Sequence, residues 1–385
     1  MQKINITASE NLNKVKSSIW NASRRTLARG VAAAILATSL VAPHAAQACT
    51  SFILPTSDGS TVYGRTMEFA FELKSDIIFI PRSHALQASG AEDVTGKKWT
   101  SKYAALGMNA LGIPVLTDGM NEKGLTGGVL YFAGYAGYTA PADAKTEDSL
   151  APWDLLSWAL TNFATVEEVK NALDSISIVD VKQDELGFTP PLHYTLHDTT
   201  GASVVIEPID GKLVVTDNPI GVMTNTPPID WHLTNLRNYV NLSPENAKPL
   251  KINGAEILPT GQGSGMLGIP GDTTPPSRFV RAAAFVLSAQ QLPSGVESVR
   301  LAEHIANNFD IPKGWIQDKE ADLEYTQWTT VADMKNNKYY VKTYDDQVLR
   351  GVGFEDFDLD GKEIVTVKMQ SRIEPSSLVK DNAED

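Results

Sequence analysis

The chain contains one cysteine, Cys49, and it stands directly after Ala46-Gln47-Ala48. A small-x-small triplet that closes an apolar run is the pattern at which export signals are cut. A cut after Ala48 would leave one residue carrying both a thiol and a free α-amine. An α-amine, with a pKa near ~7.7–8.0, can accept a proton around neutral pH without help from a histidine. The thiol, near ~8.5, is mostly protonated there and needs activation before it can attack a carbonyl carbon. Arg65 is the nearest cation that could supply it, and Glu68 could hold the amine in place.

The elements that must bring these residues together are legible nearby. Residues 50–54 and 61–66 alternate as strands around the turn Ser57-Asp58-Gly59-Ser60. Asp-Gly between two such runs predicts a hairpin, which returns Arg65 to the level of Cys49. Residues 75–81, 103–108 and 124–132 predict further strands, the last two flanking a turn-forming stretch at 118–124. Residues 153–163 are apolar nearly all round and predict a buried helix. Thr165 with Glu168 forms a capping box for the next helix, and 277–289 and 301–308 predict two more. Strand groups follow at 192–196, 203–207 and 212–216, then at 328–333, 338–343 and 363–369. Helical blocks between antiparallel strand blocks argue for α+β layers rather than βαβ units. Residues 49–375 then form one domain, with a polar, frayed tail at 376–385.

The N-terminal 48 residues predict a signal peptide: Lys14, Lys16, Arg24, Arg25 and Arg29 lead into an apolar run over 30–42. That run is too short for a permanent transmembrane helix. The protein is therefore expected to be exported, to the periplasm or beyond, with no stable membrane association. Ser23-Arg24-Arg25 only loosely fits a twin-arginine signal. Cleavage removes six basic residues and one acidic residue, taking the net charge from -13 to -18 over 337 residues. So acidic a surface repels nucleic acid. A lone cysteine at a cleavage point can also be a lipid anchor or a buried hydrophobe. Lipoprotein signals want a bulky aliphatic residue three before the cysteine, where this chain has Ala46.

Several motifs resemble chemistry without the context for it. Gly263-Ser-Gly-Met-Leu-Gly268 matches a dinucleotide fingerprint, but Ile269-Pro-Gly271 follows and no helix can start there. Asp356-x-Asp358-x-Asp360-Gly361 resembles the start of a calcium loop, yet Val367 stands where the bidentate glutamate belongs. His193 and His197 lack a third ligand, and no GxSxG elbow occurs. Neither a metal nor a cofactor is implied.

The blocks Cys49-Thr-Ser-Phe-Ile53, Gly64-Arg-Thr-Met-Glu68, Asp118-Gly-Met-Asn-Glu-Lys-Gly-Leu125, Gly221-Val-Met-Thr-Asn-Thr-Pro227 with Asp230-Trp231, and 267–280 occur in that order. Together they resemble the choloylglycine hydrolases, which comprise bile salt hydrolases and penicillin V acylases. The resemblance implies an N-terminal-nucleophile hydrolase fold, two antiparallel sheets between helical layers (αββα), and a homotetramer. By position it makes Cys49 the nucleophile, Arg65 its electrostatic partner, Asn225 an oxyanion donor through its side-chain amide, and Arg278 the completion of the charged shell. Glu68 stands where the family usually has aspartate. Tyr131, with Met67, falls to the substrate pocket, and an aromatic at 131 is the penicillin V acylase choice, suited to a phenoxyacetyl group. The expected activity is hydrolysis of a small-molecule amide, with penicillin V leading and a conjugated bile salt or an N-acyl-homoserine lactone as the alternative. The non-enzymatic alternative is a lipid-anchored binding protein tethered through Cys49.

Overall fold

A computed structural model describes residues 48–91, 95–317, 323–369 and 374. The expected signal peptide, apart from Ala48, and the expected tail at 376–385 lie outside the described residues.

The predicted hairpin forms from Thr50–Pro55 (β1) and Thr61–Phe69 (β2), with Thr50 opposite Thr66 and Ser51 opposite Arg65. It is the centre of a seven-stranded sheet. Val222–Met223 borders β1 on one side, and Leu323–Asp333, Lys338–Thr343 and Arg350–Gly353 follow β2 on the other. A second sheet of eight strands runs Lys212–Asp217, Ser203–Ile209, Leu192–His197, Thr126–Tyr131, Asp118–Asn121, Ala105–Met108, Ile77–Ile80, Val365–Val367. All pairings within the two sheets are antiparallel.

The apolar helix predicted at 153–163 is Leu155–Asn162 (α1), which packs on the second sheet. Thr165 caps Val166–Ala172 (α2), its hydroxyl accepting the Glu168 N–H at 3.2 Å. After Ile229–Asn235 (α3) come Pro275–Ser288 (α4) and Val296–Ala306 (α5), and these two cover the outer face of the first sheet. The order is helix, sheet, sheet, helix, as expected.

Period two along β2 divides its side chains between the layers. Tyr63, Arg65, Met67 and Phe69 point between the sheets. Glu68 points the other way, where Arg278 of α4 acts on it electrostatically. The sheets are tied by Asp118, which accepts from Tyr63 Oη at 2.7 Å, Thr330 Oγ1 at 2.9 Å, Arg65 Nη1 at 3.4 Å and the Tyr339 hydroxyl.

Two local expectations are corrected. The stretch 118–124 is not all turn: Asp118–Asn121 is a strand, and Asn121 Oδ1 organises the turn by accepting from Lys123 N and Leu125 N. The strand near 363–369 does not extend the 328–343 hairpin; Val365–Val367 pairs with Ile77–Ile80 in the second sheet. Arg350–Gly353 takes the expected place beside Lys338–Thr343.

Candidate active site

Cys49 lies one residue before β1, buried, with its thiol facing the space between the sheets and its backbone facing α4. Sγ is 3.8 Å from Arg65 Nη2 and 3.7 Å from Met67 Sδ. Arg65 is fully buried and held at both terminal nitrogens: Nη1 donates to Thr117 O at 2.6 Å, Nη2 donates to Val129 O, and the guanidinium lies 5.3 Å from the Trp328 ring centroid. The strand opposite leaves room for it through Gly128. A Cβ there would stand 2.8 Å from Arg65 Nη1 and 2.6 Å from the Tyr63 hydroxyl.

Burial pushes the Cys49 thiol above its ordinary range, and Arg65 opposes that shift without cancelling it; Glu68 adds to the rise. Arg65 was expected to lower the thiol, with the α-amine as the base; it acts in that direction but is outweighed by burial. In a buried site desolvation dominates, which favours the neutral thiol.

Asn225 is placed by contacts from four directions. Its Oδ1 accepts from Cys49 N at 2.8 Å and from Arg278 Nη2 at 2.7 Å. Its Nδ2 donates to Tyr131 O at 3.0 Å. The donors on Oδ1 fix which way the amide points. The backbone is pinned by two buried histidines: His232 Nε2 bonds Asn225 O at 3.0 Å and His193 Nε2 bonds Thr224 O at 3.1 Å. Burial holds His232 down at about 4, so it is neutral and can serve as a fixed N–H donor. Arg278 completes the shell, donating to Cys49 O, to Thr50 Oγ1 at 2.8 Å and, through Nε, to Thr273 O at 2.9 Å.

Glu68 does not touch Cys49 N. Its Oε1 accepts from Thr326 Oγ1 at 2.7 Å, and burial pushes the carboxyl up to about 8. The longer side chain thus anchors on the neighbouring strand. Glu324, which sequence reasoning missed, stands closer to the expected cleavage point: it accepts the Ala48 N–H. The signal that could have found it is a charged residue two positions before Thr326 on the strand that pairs with β2.

The thiol opens onto a cavity of about 80 Å³ with an almost wholly apolar lining, including Met67, Phe69, Leu111, Ile113, Val129 and Tyr131. Phe69 and Tyr131 meet edge to face with centroids 6.1 Å apart. The structure therefore joins six of the seven residues singled out from the sequence by direct contacts, and leaves Glu68 on the other face of β2.

A buried cysteine beside a fixed guanidinium, an amide donor and an apolar chamber is the apparatus of an amide hydrolase. The chain belongs to the linear amide C–N hydrolases of the choloylglycine hydrolase family, whose pattern matches residues 49–367. It is 37% identical to the bile salt hydrolase/transferase of Clostridium perfringens over 83% of this chain and 96% of that one. It is 29% identical to the penicillin V acylase of Pectobacterium atrosepticum, over 87% and 85% of the two chains. The crystal structure of a variant of the conjugated bile acid hydrolase from Clostridium perfringens superposes with a TM-score of 0.77 at 34% identity, covering 86% of this chain and all of the other.

Proposed function

We propose that this amide hydrolase acts on conjugated bile salts, with Cys49 as a processed N-terminal nucleophile. The observation that carries the mechanism is the position of Cys49. Its thiol sits on the floor of the apolar chamber, and its nitrogen is held by Asn225 at 2.8 Å. Once residue 48 is removed, that nitrogen is a free amine adjacent to its own thiol. The thiol proton passes to the amine as Sγ attacks the amide carbon. One N–H of Asn225 is committed to Tyr131 O, and the second receives the oxyanion. Collapse breaks the C–N bond, the ammonium returns its proton to the leaving nitrogen, and water then cleaves the thioester by the reverse route. Arg65 stabilises negative charge on sulfur throughout.

The bile salt reading rests on the names of the more similar relatives. A phenoxyacetyl amide is the second reading, favoured by the Phe69–Tyr131 pair. Either acyl group needs more room than about 80 Å³, since sites for molecules of this size run to roughly 300 Å³ or more. A cavity of about 460 Å³ shares Ile113, Val115, Trp153 and Gln183 with the chamber as lining, and is the space into which a larger acyl group would extend.

Export, with loss of residues 1–48, belongs to the same proposal, because the free amine depends on that cut. Self-association is part of the reading, as a tetramer by family resemblance; the hairpin Leu250–Ile252 and Ala255–Ile257 leaves Leu250, Ile252 and Ile257 exposed for a second copy to cover. The test of substrate class is a panel of glycocholate, penicillin V and a long-chain N-acyl-homoserine lactone on the processed enzyme. Glycocholate is expected to give the highest kcat/KM, and preference for either of the others overturns the assignment.

A further inference from the structure

The helix-facing side of the first sheet holds an imbalance of charge that the mechanism above does not use. Glu68 and Glu324 are only 1% and 2% exposed. Thr326 lies opposite Glu68 in register and donates to it, and Glu324, two residues earlier, falls on the same side of its strand. The Oε2 atom of each carboxylate is buried without a partner among the described residues. Among the described residues, the other charged or titratable groups facing them are Arg278 from α4, the Cys49 thiol and, beyond Thr326, the exposed Asp310.

One buried cation therefore faces two buried carboxylates. Arg278 does not hydrogen-bond either of them; its three nitrogens go to Thr273 O, Thr50 Oγ1, Cys49 O and Asn225 Oδ1. With residue 48 in place the excess is met by a bound proton: burial pushes Glu68 up to about 8 and Glu324 up to about 7. Glu324 meanwhile accepts only the neutral N–H of Ala48. That nitrogen is one residue from Cys49 N, so the Glu324 carboxylate lies within roughly 6 Å of the future α-amine.

We propose that Glu324 is a positioning residue for the catalytic amine. When residue 48 leaves, the α-ammonium of Cys49 replaces the amide donor, directly or across one water, and completes a neutral cluster with Glu68, Glu324 and Arg278. This rests on the reading of Cys49 as a processed N-terminal nucleophile. Glu324 then holds the ammonium and raises the pH at which it becomes a free base.

The test is the pH profile of kcat/KM for the exported, processed enzyme, whose acid limb reports the base in free enzyme. The substrate is glycocholate or penicillin V, whichever is turned over faster. Glu324→Gln removes a negative charge beside the ammonium, so the acid limb moves to lower pH by about half a unit or more. A limb that stays in place or moves upward overturns the proposal. If Glu324→Gln is not recovered folded and processed, Glu324→Asp withdraws the charge by one methylene and shifts the limb the same way by less; an unmoved limb again overturns it. Cys49→Ala separates the two claims. Retained activity there refutes the nucleophile itself, whereas lost activity there together with an unmoved limb in Glu324→Gln refutes only Glu324.

Discussion

The side-chain oxygen of Asn225, not its nitrogen, faces the backbone nitrogen of Cys49, at 2.8 Å. Arg278 donates to the same oxygen at 2.7 Å, so the amide cannot rotate without losing both bonds. In the proposed reaction Asn225 serves both ends: its oxygen orients the amine and its nitrogen is presented to the oxyanion. That coupling explains why a residue 176 positions away in sequence belongs to the same site as Cys49.

Replacement of Asn225 by alanine is expected to lower kcat by about two to three orders of magnitude, with a much smaller change in KM, as for an oxyanion donor. Steady-state kinetics on processed protein check this. A rise in KM at unchanged kcat would instead assign Asn225 to ground-state binding.

Arg65 opposes the upward shift that burial imposes on the thiol. Arg65→Ala should therefore move iodoacetamide alkylation of Cys49 to higher pH. The substitution also breaks a buried ion pair with Asp118, at a cost of roughly 3–5 kcal/mol. Thermal melting must accompany the measurement, and an unchanged alkylation profile in folded protein would remove Arg65 from thiol activation.

A pH dependence of stability follows for the chain that retains Ala48. Glu68, Glu324 and Asp154 are raised to about 8, 7 and 7 by burial, so each is protonated more readily in the folded state than in the unfolded one. Their contribution is fully present below the ordinary carboxyl range and is lost as pH rises through the folded values. The buried histidines His193, His197 and His232 are shifted down and act oppositely, but only below about 6.5. Melting temperature should consequently fall between about pH 6.5 and 8, and Glu68→Gln should flatten the upper part of that fall. Calorimetry across this window checks it; a flat wild-type curve would contradict it.

Much of this site was legible because it is local. Cys49 and Arg65 are linked by one hairpin, whose Asp58-Gly59 turn sets the register that brings them together. Asn225 and Arg278 arrive from remote segments by sheet edge and helix packing; they were assigned from family resemblance, since no local pattern marks them. Glu324 escaped because its strand was expected to begin at 328, whereas it begins at Leu323. Residues 323–327 carry polar side chains into a buried face, which hides the alternation that marks a strand. Asp118 escaped for a related reason, since the Asp-Gly and Asn residues around it spell a turn while pairing places them in the second sheet.

The aromatic wall gives a substrate-level expectation. Tyr131→Asn removes the edge-to-face partner of Phe69. An aryl acyl group loses about 0.5–1.5 kcal/mol of ring contact by this change, a steroid less. The kcat/KM ratio of glycocholate to penicillin V should rise roughly two- to tenfold. A fall in that ratio would show that Tyr131 does not contact the aryl group.

The central claim is that the active enzyme begins at Cys49, because only a free amine can act as the base for its own thiol. N-terminal sequencing of purified, fully active protein tests this most directly. The sequence Cys-Thr-Ser-Phe is the result the mechanism requires. Full activity in protein that still carries Ala48 on Cys49 would contradict it.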